Sequence, residues 1–473
     1  MAFSTLRRRD RATAIALAGV CLGSAGCSKP NSAALGAPVP AEVSPPVSAE
    51  RRPGNAPLSR CHPEGTGIAL EPDRSAGPIV VGDGVSLGSH YALGLIHGSD
   101  RGPIAAMVWL SPDVSTAQVF DIGPTLSDAP PPRMALRAGS LTASYFARIP
   151  SIEANEAKRT RRLALVGLDP NGSPAVVPLA MWPQQGDESL AFDVAFSKDV
   201  GLLVWDEVTL ARPLSVAPSH GAGGRGVIRG VAFDRDPHQR GGPYDVSPPE
   251  SDAQSPRIVA GPSGFFAFWI ASAAEPVADL EAGSGAAPSE ATGEARANGW
   301  IEMVTLDALG TPKGPVAKLT SERGHVSSYD VLGSDGAATA TPTVVARDDG
   351  EITDGTGGTL LIVRANENGS DSPVTISSGG LGRGAPAFVD ARPPWVTWVG
   401  EREDLRMLPL VPPGHVAAVP SVEESLGEAR PLLGMVSAPT DIQAPVVNRI
   451  LAVVPAQKDE NGPRAAVVVC APL

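Results

Sequence analysis

The sequence predicts an all-β protein, a β-propeller of seven blades, from three observations. Its 473 residues include 52 glycines and 48 prolines but few aromatic residues, which favours short strands between tight turns over long helices. Strand-like segments recur every 60 residues or so. Apolar segments without an obvious partner lie near both ends. One core serves roughly 250–300 residues, so this chain needs several domains or a ring of repeats.

The first repeated element is a strand that ends in a tight turn. Residues 163–174 read LALVGLDPNGSP and residues 301–312 read IEMVTLDALGTP, with apolar positions that alternate before a shared Leu-Asp, Gly and Pro. A weaker copy, LLIVRANENGS, covers residues 360–370. The alternation predicts a strand, and Gly172 and Gly310 stand where a positive φ is expected.

The second repeated element is a short apolar run, usually after proline, that would open the innermost strand of each blade. Proline is tolerated at the first residue of a strand. The intervals between these starts average about 61 residues, which gives seven blades. Six or eight blades, or a pair of β-sandwiches, remain open. The predicted starts are Pro78, Pro132, Ala191, Pro256, Pro342, Pro386 and Pro445.

Aromatic residues mark a second strand in several units. Residues 200–205, 263–269 and 394–398 each carry Trp or Phe next to Val, Leu or Ala, and we expect these rings to fill the space between blades. Residues 274–298 are rich in Ala, Glu, Gly and Ser without periodicity. They predict a disordered insertion between two strands of one blade.

The two ends of the chain are predicted to close the ring. The last predicted start leaves 29 residues, too few for four strands, and the apolar segment 67–70 precedes the first start. Pairing of that segment with the apolar strand 465–473 would complete the last blade and leave no open edge. The pairing would bring Cys61 close to Cys470, where an oxidising compartment favours a disulfide. Two free thiols are the alternative.

The N-terminus has the features of an export signal, predicted over residues 1–26. Four arginines among residues 7–11 precede a short apolar run at 12–23 and the small residues 24–26, before Cys27. The apolar run is too short to span a bilayer as a mature helix. Residues 27–60 are rich in Ala, Pro, Ser and Glu and are predicted to be a disordered tether. The propeller would then occupy residues 61–473.

Ser-Ala-Gly-Cys at residues 24–27 resembles the lipobox of bacterial lipoproteins. The resemblance implies that Cys27 is acylated and becomes the mature N-terminus, and Ser28 suggests sorting to the outer membrane or cell surface. Ordinary cleavage after Gly26, which would leave a soluble periplasmic or secreted protein, is the alternative. The blade pattern and this N-terminus together resemble exported bacterial lipoproteins with a β-propeller body, a broad class that is mostly uncharacterised.

The net charge of −13 disfavours nucleic acid and anionic lipid as partners, because both require concentrated Lys and Arg. The expected partner is an envelope protein or a glycan. Contact with the membrane is expected through the lipid anchor only. We expect a monomer.

No residue combination predicts a catalytic, cofactor or metal site. Ser86 lies in a G-x-S-x-G pattern, but a strand-like run follows where a nucleophile elbow requires a helix. Residues 348–354 are acidic but lack the order of a calcium loop. The seven histidines have no metal-ligand spacing and are expected on exposed loops. They are His62, His90, His97, His220, His238, His325 and His415.

Two functions remain open at this point. The first is a non-catalytic lipoprotein of the cell envelope whose propeller binds or scaffolds a partner at the loops around its axis. The second is a propeller enzyme, a hydrolase or lyase, that acts on envelope or extracellular polysaccharide. The sequence leaves enzymatic activity undecided and favours the non-catalytic lipoprotein.

Overall fold

We describe the protein from a computed structural model. The chain divides into two units, Met1–Arg52 and Pro53–Leu473. The first unit, with the predicted signal and Cys27, lies outside the described residues. The described residues are 59–70, 79–87, 90–137, 140–148, 161–168, 178–183, 191–209, 225–234, 238–272, 298–333, 341–350, 358–366, 369–378, 381–382, 384–389, 394–400, 405–409, 430–436, 448–454 and 463–472.

Regular structure in this part of the chain consists of strands alone, as the composition predicted. Among the residues described, there is accordingly no helix with the length and apolarity needed to cross a membrane. In chain order the strands are β1 (Ser59–Ala69), β2 (Val80–Ser86), β3 (Tyr91–His97), β4 (Ile104–Leu110), β5 (Ala117–Pro124), β6 (Arg133–Arg137), β7 (Ser140–Arg148), β8 (Arg161–Leu168), β9 (Pro178–Pro183), β10 (Phe192–Ser197), β11 (Val200–Thr209), β12 (Arg225–Phe233), β13 (Gln239–Asp245), β14 (Asp252–Gly261), β15 (Gly264–Ser272), β16 (Gly299–Leu306), β17 (Ala317–Lys318), β18 (Val326–Leu332), β19 (Thr343–Asp348), β20 (Thr359–Asn366), β21 (Gly369–Ser370), β22 (Val374–Ser378), β23 (Ala387–Val389), β24 (Trp395–Val399), β25 (Leu405–Pro409), β26 (Arg430–Val436), β27 (Asn448–Val454) and β28 (Arg464–Pro472).

The described strands form antiparallel sheets that follow one another along the chain. Each sheet is a meander in which consecutive strands are neighbours, except that β22 pairs with β20 and that β1 joins the sheet of the last three strands. The sheets are β2-β3-β4-β5, β6-β7-β8-β9, β10-β11-β12-β13, β14-β15-β16-β17, β18-β19-β20-β21 with β22 beside β20, β23-β24-β25, and β26-β27-β28-β1.

The sheets pack face to face in chain order, with their first strands together. The first strands β6, β10 and β14 contact one another in turn, and so do β14, β18 and β23. Apolar clusters fill the spaces between neighbouring sheets. In one of them Phe146 and Leu163 of the β6–β9 sheet pack against Phe192 and Trp205 of the β10–β13 sheet. Radial packing of meander sheets around their first strands is the architecture of a β-propeller.

The repeats found in the sequence occupy equivalent places in the sheets. All three copies of the first element fall on third strands, namely β8, β16 and β20. The aromatic segments fall on the second strands β11, β15 and β24, and Trp205 and Trp269 are buried there. The repeat prediction is therefore confirmed for these strands, because each copy of an element occupies the same place in its sheet.

Two of the seven predicted first strands are wrong. Pro342 immediately precedes β19, which is the second strand of its sheet, and the first strand is β18. Pro445 lies outside the described residues, and the last sheet begins earlier, with β26. The reason is that proline is tolerated at the start of any strand, so it marks a strand but not its place in the sheet. The other five predictions fall at or beside β2, β6, β10, β14 and β23.

The terminal strands pair as the sequence predicted. Strands β1 and β28 are antiparallel neighbours, and Cys61 and Cys470 are directly opposite each other in the register. Gly67 has a φ of +70° at the irregularity between Glu64 and Ile68. The disulfide itself stays a prediction. The predicted insertion at 274–298 falls between β15 and β16, as expected, and nearly all of it lies outside the described residues.

Gly310 adopts the positive φ, +85°, that the repeat predicted for it. The turn around it is closed by Asp307, whose Oδ1 accepts hydrogen bonds from the backbone N–H groups of Leu309 and Thr311 at 2.8 and 2.9 Å. A Cβ at position 310 would also lie 2.6 Å from Leu202 Cδ1. Gly172 lies outside the described residues.

Replacement of Gly310 by alanine is expected to lower the free energy of unfolding by about 1–2 kcal/mol, through backbone strain and the clash with Leu202. Chemical denaturation measures the change. Gly314→Ala is the matched control, because its φ is not positive and a Cβ added there would have no atom within 4 Å. Equal stability of the two variants would contradict the interpretation.

Candidate functional site

Charged residues alternate on five successive first strands. Asp83 lies on β2, Arg133 on β6, Asp193 on β10, Arg257 on β14 and Asp330 on β18. Contacts between the first strands β2 and β6, β6 and β10, β10 and β14, and β14 and β18 place these strands side by side. We call these five residues the charged arc.

Ion pairs join the arc across neighbouring sheets. Arg133 pairs with Asp83, and Arg257 Nε lies 3.7 Å from Asp330 Oδ1. Burial by itself would lower the pKa of Arg257, but the carboxylates of Asp193 and Asp330 outweigh burial and raise this pKa above its usual value. The guanidinium group therefore remains charged between its acidic neighbours.

The carboxylates of the arc also bind the backbone of the next sheet. Asp193 Oδ2 accepts a hydrogen bond from the N–H of Ile258 on β14 at 3.0 Å. Asp330 Oδ2 accepts one from the N–H of Phe388 on β23 at 2.8 Å. Strand β10 lies beside β14, and β18 lies beside β23. Each aspartate therefore uses one carboxylate oxygen to hold the first strand of the next sheet.

Tyr329 and Asp206 support the arc from the buried side. The Tyr329 hydroxyl donates to the carbonyl of Ser255 at 2.7 Å. Asp206 accepts hydrogen bonds from the N–H groups of Ala191 and Ser255 at 3.0 and 3.1 Å. Burial raises the pKa of Tyr329 well above its usual range, and the nearby carboxylates add to the shift although Arg257 opposes it. Tyr329 is therefore a neutral donor at physiological pH.

The arc is open to solvent on one side. Side-chain exposure is 47% for Asp83, 24% for Arg133, 23% for Arg257 and 26% for Asp330. Each first strand is covered by the second strand of its own sheet and flanked by the neighbouring sheets. The solvent that reaches these side chains is therefore on the axial side, where first strands face one another. This is where propellers commonly place ligands.

Sequence reasoning missed the arc, although its residues lie in segments that it identified. Arg133 and Arg257 directly follow Pro132 and Pro256, two of the predicted strand starts. Asp193 and Asp330 share an aromatic-Asp-Val context on β10 and β18. That shared context is a usable signal. The convergence was not visible, because it depends on which strands of different sheets are neighbours.

The Ser86 pattern has no nucleophile elbow. Ser86 is the last residue of β2, and the next element is β3, with which β2 forms an antiparallel hairpin. An elbow requires a helix at this point. The sequence prediction that Ser86 is not a nucleophile rests on the same strand-to-strand connection.

The expectation of exposed loop histidines is wrong for His97. It ends β3 and is buried, with Nε2 2.8 Å from Asp121 Oδ1 and Nδ1 3.0 Å from the carbonyl oxygen of Gly98. The reason is that β3 is covered on both faces, so that even its last residue is enclosed. His238 is exposed, as expected.

Groups that could hold a metal ion are absent from the described residues. In the acidic segment at 348–354, Asp348 Oδ1 accepts the N–H groups of His325 and Gly350, each at 3.0 Å. Asp349 pairs with the buried Arg347. Both carboxylates thus serve local structure.

A second polar cluster is buried in the β14–β17 sheet. Glu302 on β16 accepts hydrogen bonds from the indole N–H groups of Trp269 and Trp300, at 3.0 and 2.9 Å, and from the hydroxyl of Ser251 at 3.2 Å. Lys318 lies over the Trp300 ring, 5.8 Å from its centroid. Glu302 is only 5% exposed, so this cluster is part of the core rather than a ligand site.

Comparisons with known proteins give likenesses of fold only. The chain matches neither a protein-family model nor a curated protein. Among solved structures, the β-propeller domain of the Trilobed protease from Pyrococcus furiosus is 11% identical, with a TM-score of 0.41, over 80% of this chain and 90% of that one. Pyrococcus horikoshii acylaminoacyl peptidase is 9% identical, with a TM-score of 0.43, over 84% and 52%. Trypanosoma rangeli sialidase is 9% identical, with a TM-score of 0.36, over 88% and 59%. Such values carry no argument about function.

Proposed function

We propose that the protein is a lipid-anchored binding module of the cell envelope, with a closed ring of seven blades and a ligand site on the axial side of the charged arc. The observation that carries the binding function is the way in which the acidic groups are held. Asp193, Asp206 and Asp330 accept backbone N–H groups, and Tyr329 donates to a backbone carbonyl. Groups fixed in this way present a rigid surface.

The ring is supported by contacts between the first and last sheets. The first strand β26 contacts both β2 and β23, as is expected if the first strands follow one another in a circle. Leu451 and Ala465 of the last sheet pack against Val81 and Leu93 of the β2–β5 sheet. Seven blades follow if each described sheet is one blade. The proposed Cys61–Cys470 disulfide would fasten the outer edge of the last blade.

The envelope location rests on the N-terminal sequence. Acylation of Cys27 would leave residues 28–58 as a tether between the membrane and β1. One acyl chain binds a membrane only weakly, so stable anchoring requires the additional chains of a bacterial lipoprotein.

Cys27→Ala is expected to abolish incorporation of a fatty-acid analogue and to move the protein from the membrane fraction to the soluble fraction. Metabolic labelling followed by fractionation measures both effects. Cys21→Ala, within the proposed signal, is the matched control and should retain the label. A wild-type protein without label would refute the anchor and leave the soluble alternative.

A hydrolase or lyase acting on polysaccharide is the second candidate. It is favoured by the convergence of Asp193, Arg257, Tyr329 and Asp330, because glycoside hydrolysis requires two carboxylates beside the sugar. Release of sugars from an envelope polysaccharide by the wild type, but not by Asp330→Asn, would favour this candidate over binding alone. Capture of a partner or glycan from envelope extracts by the intact wild-type chain, but not by Arg257→Lys, would favour binding.

A further inference from the structure

We propose that the charged arc recognises a neutral, hydroxyl-rich ligand, an uncharged oligosaccharide. The inference rests on the proposed binding function and names the class of ligand. It is carried by the order of charges along the first strands, acid, base, acid, base, acid, from Asp83 through Arg133, Asp193 and Arg257 to Asp330.

Alternating charges suit hydroxyl groups. A hydroxyl donates one hydrogen bond and accepts others, whereas a carboxylate only accepts and a guanidinium only donates. Neighbouring strands of the arc therefore offer each hydroxyl an acceptor on one side and a donor on the other. Hydrogen bonds to charged groups are also stronger than those between neutral groups.

The charge balance disfavours anionic ligands, and the alternation of charges disfavours cationic ones. Three carboxylates face two guanidinium groups, so an anionic chain meets a small excess of negative charge in addition to the net charge of −13. A cationic ligand meets Arg133 and Arg257 between the acidic residues. A neutral ligand avoids both repulsions.

Arg257 has unused hydrogen-bonding capacity. It carries five N–H donors. Its Nη1 donates to the carbonyl oxygen of Pro256 at a long 3.4 Å, and its Nε is in the ion pair with Asp330, 3.7 Å from Oδ1. The side chain is 23% exposed, so a ligand hydroxyl at the guanidinium group would use part of the remaining donor capacity.

The arc is also held ready for binding. The bonds from Ile258 and Phe388 fix the carboxylates of Asp193 and Asp330, and the second oxygen of Asp330 faces Arg257 Nε at 3.7 Å. Ordering side chains on binding costs roughly 0.5–1.5 kcal/mol each, and this cost is reduced where the groups are fixed beforehand.

The test is binding of the intact, detergent-solubilised protein to an array of neutral, acidic and basic oligosaccharides. We expect neutral glycans to bind. Arg257→Lys should weaken their binding at least tenfold, because lysine keeps the positive charge but lacks the planar set of N–H donors of the guanidinium group. Asp330→Asn should also weaken binding, although its amide oxygen can still accept the Phe388 N–H. Glu322→Gln, in an exposed ion pair with Lys318 outside the arc, should bind as the wild type does.

Each outcome decides the proposal. Thermal melts of each variant separate lost binding from lost folding, because a binding role predicts weaker binding at an unchanged melting temperature. Binding of charged glycans alone, binding of no glycan, or equal binding by Arg257→Lys would overturn the ligand class. Membrane fractionation of the same cells before detergent is added tests the anchor separately, so a negative array with an anchored protein leaves the envelope location standing.

Discussion

Replacement of both Cys61 and Cys470 by serine is expected to lower the free energy of unfolding by about 5 kcal/mol. The two residues are opposite partners in the β1–β28 pair, and opposite positions of antiparallel strands lie at separations that suit a disulfide. In the chain-entropy model a cross-link across so long a loop strongly restricts the unfolded chain.

Chemical denaturation with and without a reductant measures this effect. The wild type in reductant should match the double variant, and each single variant should match it too, because either change removes the whole bond. The double variant itself should not respond to the reductant. Free thiols at both positions in the untreated protein, found by mass spectrometry, would show that the strands pair without a covalent bond.

Replacement of Glu302 by alanine is expected to cost about 3–4 kcal/mol. The change leaves the indole N–H groups of Trp269 and Trp300 without their acceptor and opens a cavity beside them, and each unsatisfied buried donor costs about 1–3 kcal/mol. The free energy of unfolding and the tryptophan fluorescence report on the same site.

Two controls separate the hydrogen bonds from the charge. Glu302→Gln should retain part of the stability, because its amide oxygen accepts an indole N–H while its NH₂ group opposes the other. Glu322→Gln removes a carboxylate that is 56% exposed and should change the stability by less than about 1 kcal/mol. An alanine variant as stable as Glu322→Gln would mean that the Glu302 cluster contributes nothing.

Local pattern was sufficient to predict several strands of this protein, and it failed where position in the sheet mattered. The third strands β8, β16 and β20 could be predicted because a strand and the tight turn after it are encoded by consecutive residues. Pro342 was wrongly predicted to open a first strand. Proline is tolerated at the start of any strand, so it does not indicate the place of that strand in the sheet. His97 was wrongly expected to be exposed for a related reason, since its burial depends on the sheets that cover β3.

The sequence by itself determined the all-β class, the approximate places of five first strands and the pairing of the terminal strands, because alternating apolar residues, turn glycines and a leftover strand at each end are local or countable features. Tertiary structure alone decided the charged arc and the Glu302 cluster. Asp83 and Asp330 are nearly 250 residues apart, and they belong to one arc only because the first strands of successive sheets lie side by side. Side-chain neighbours across sheets depend on packing, which the order of residues along one strand does not record.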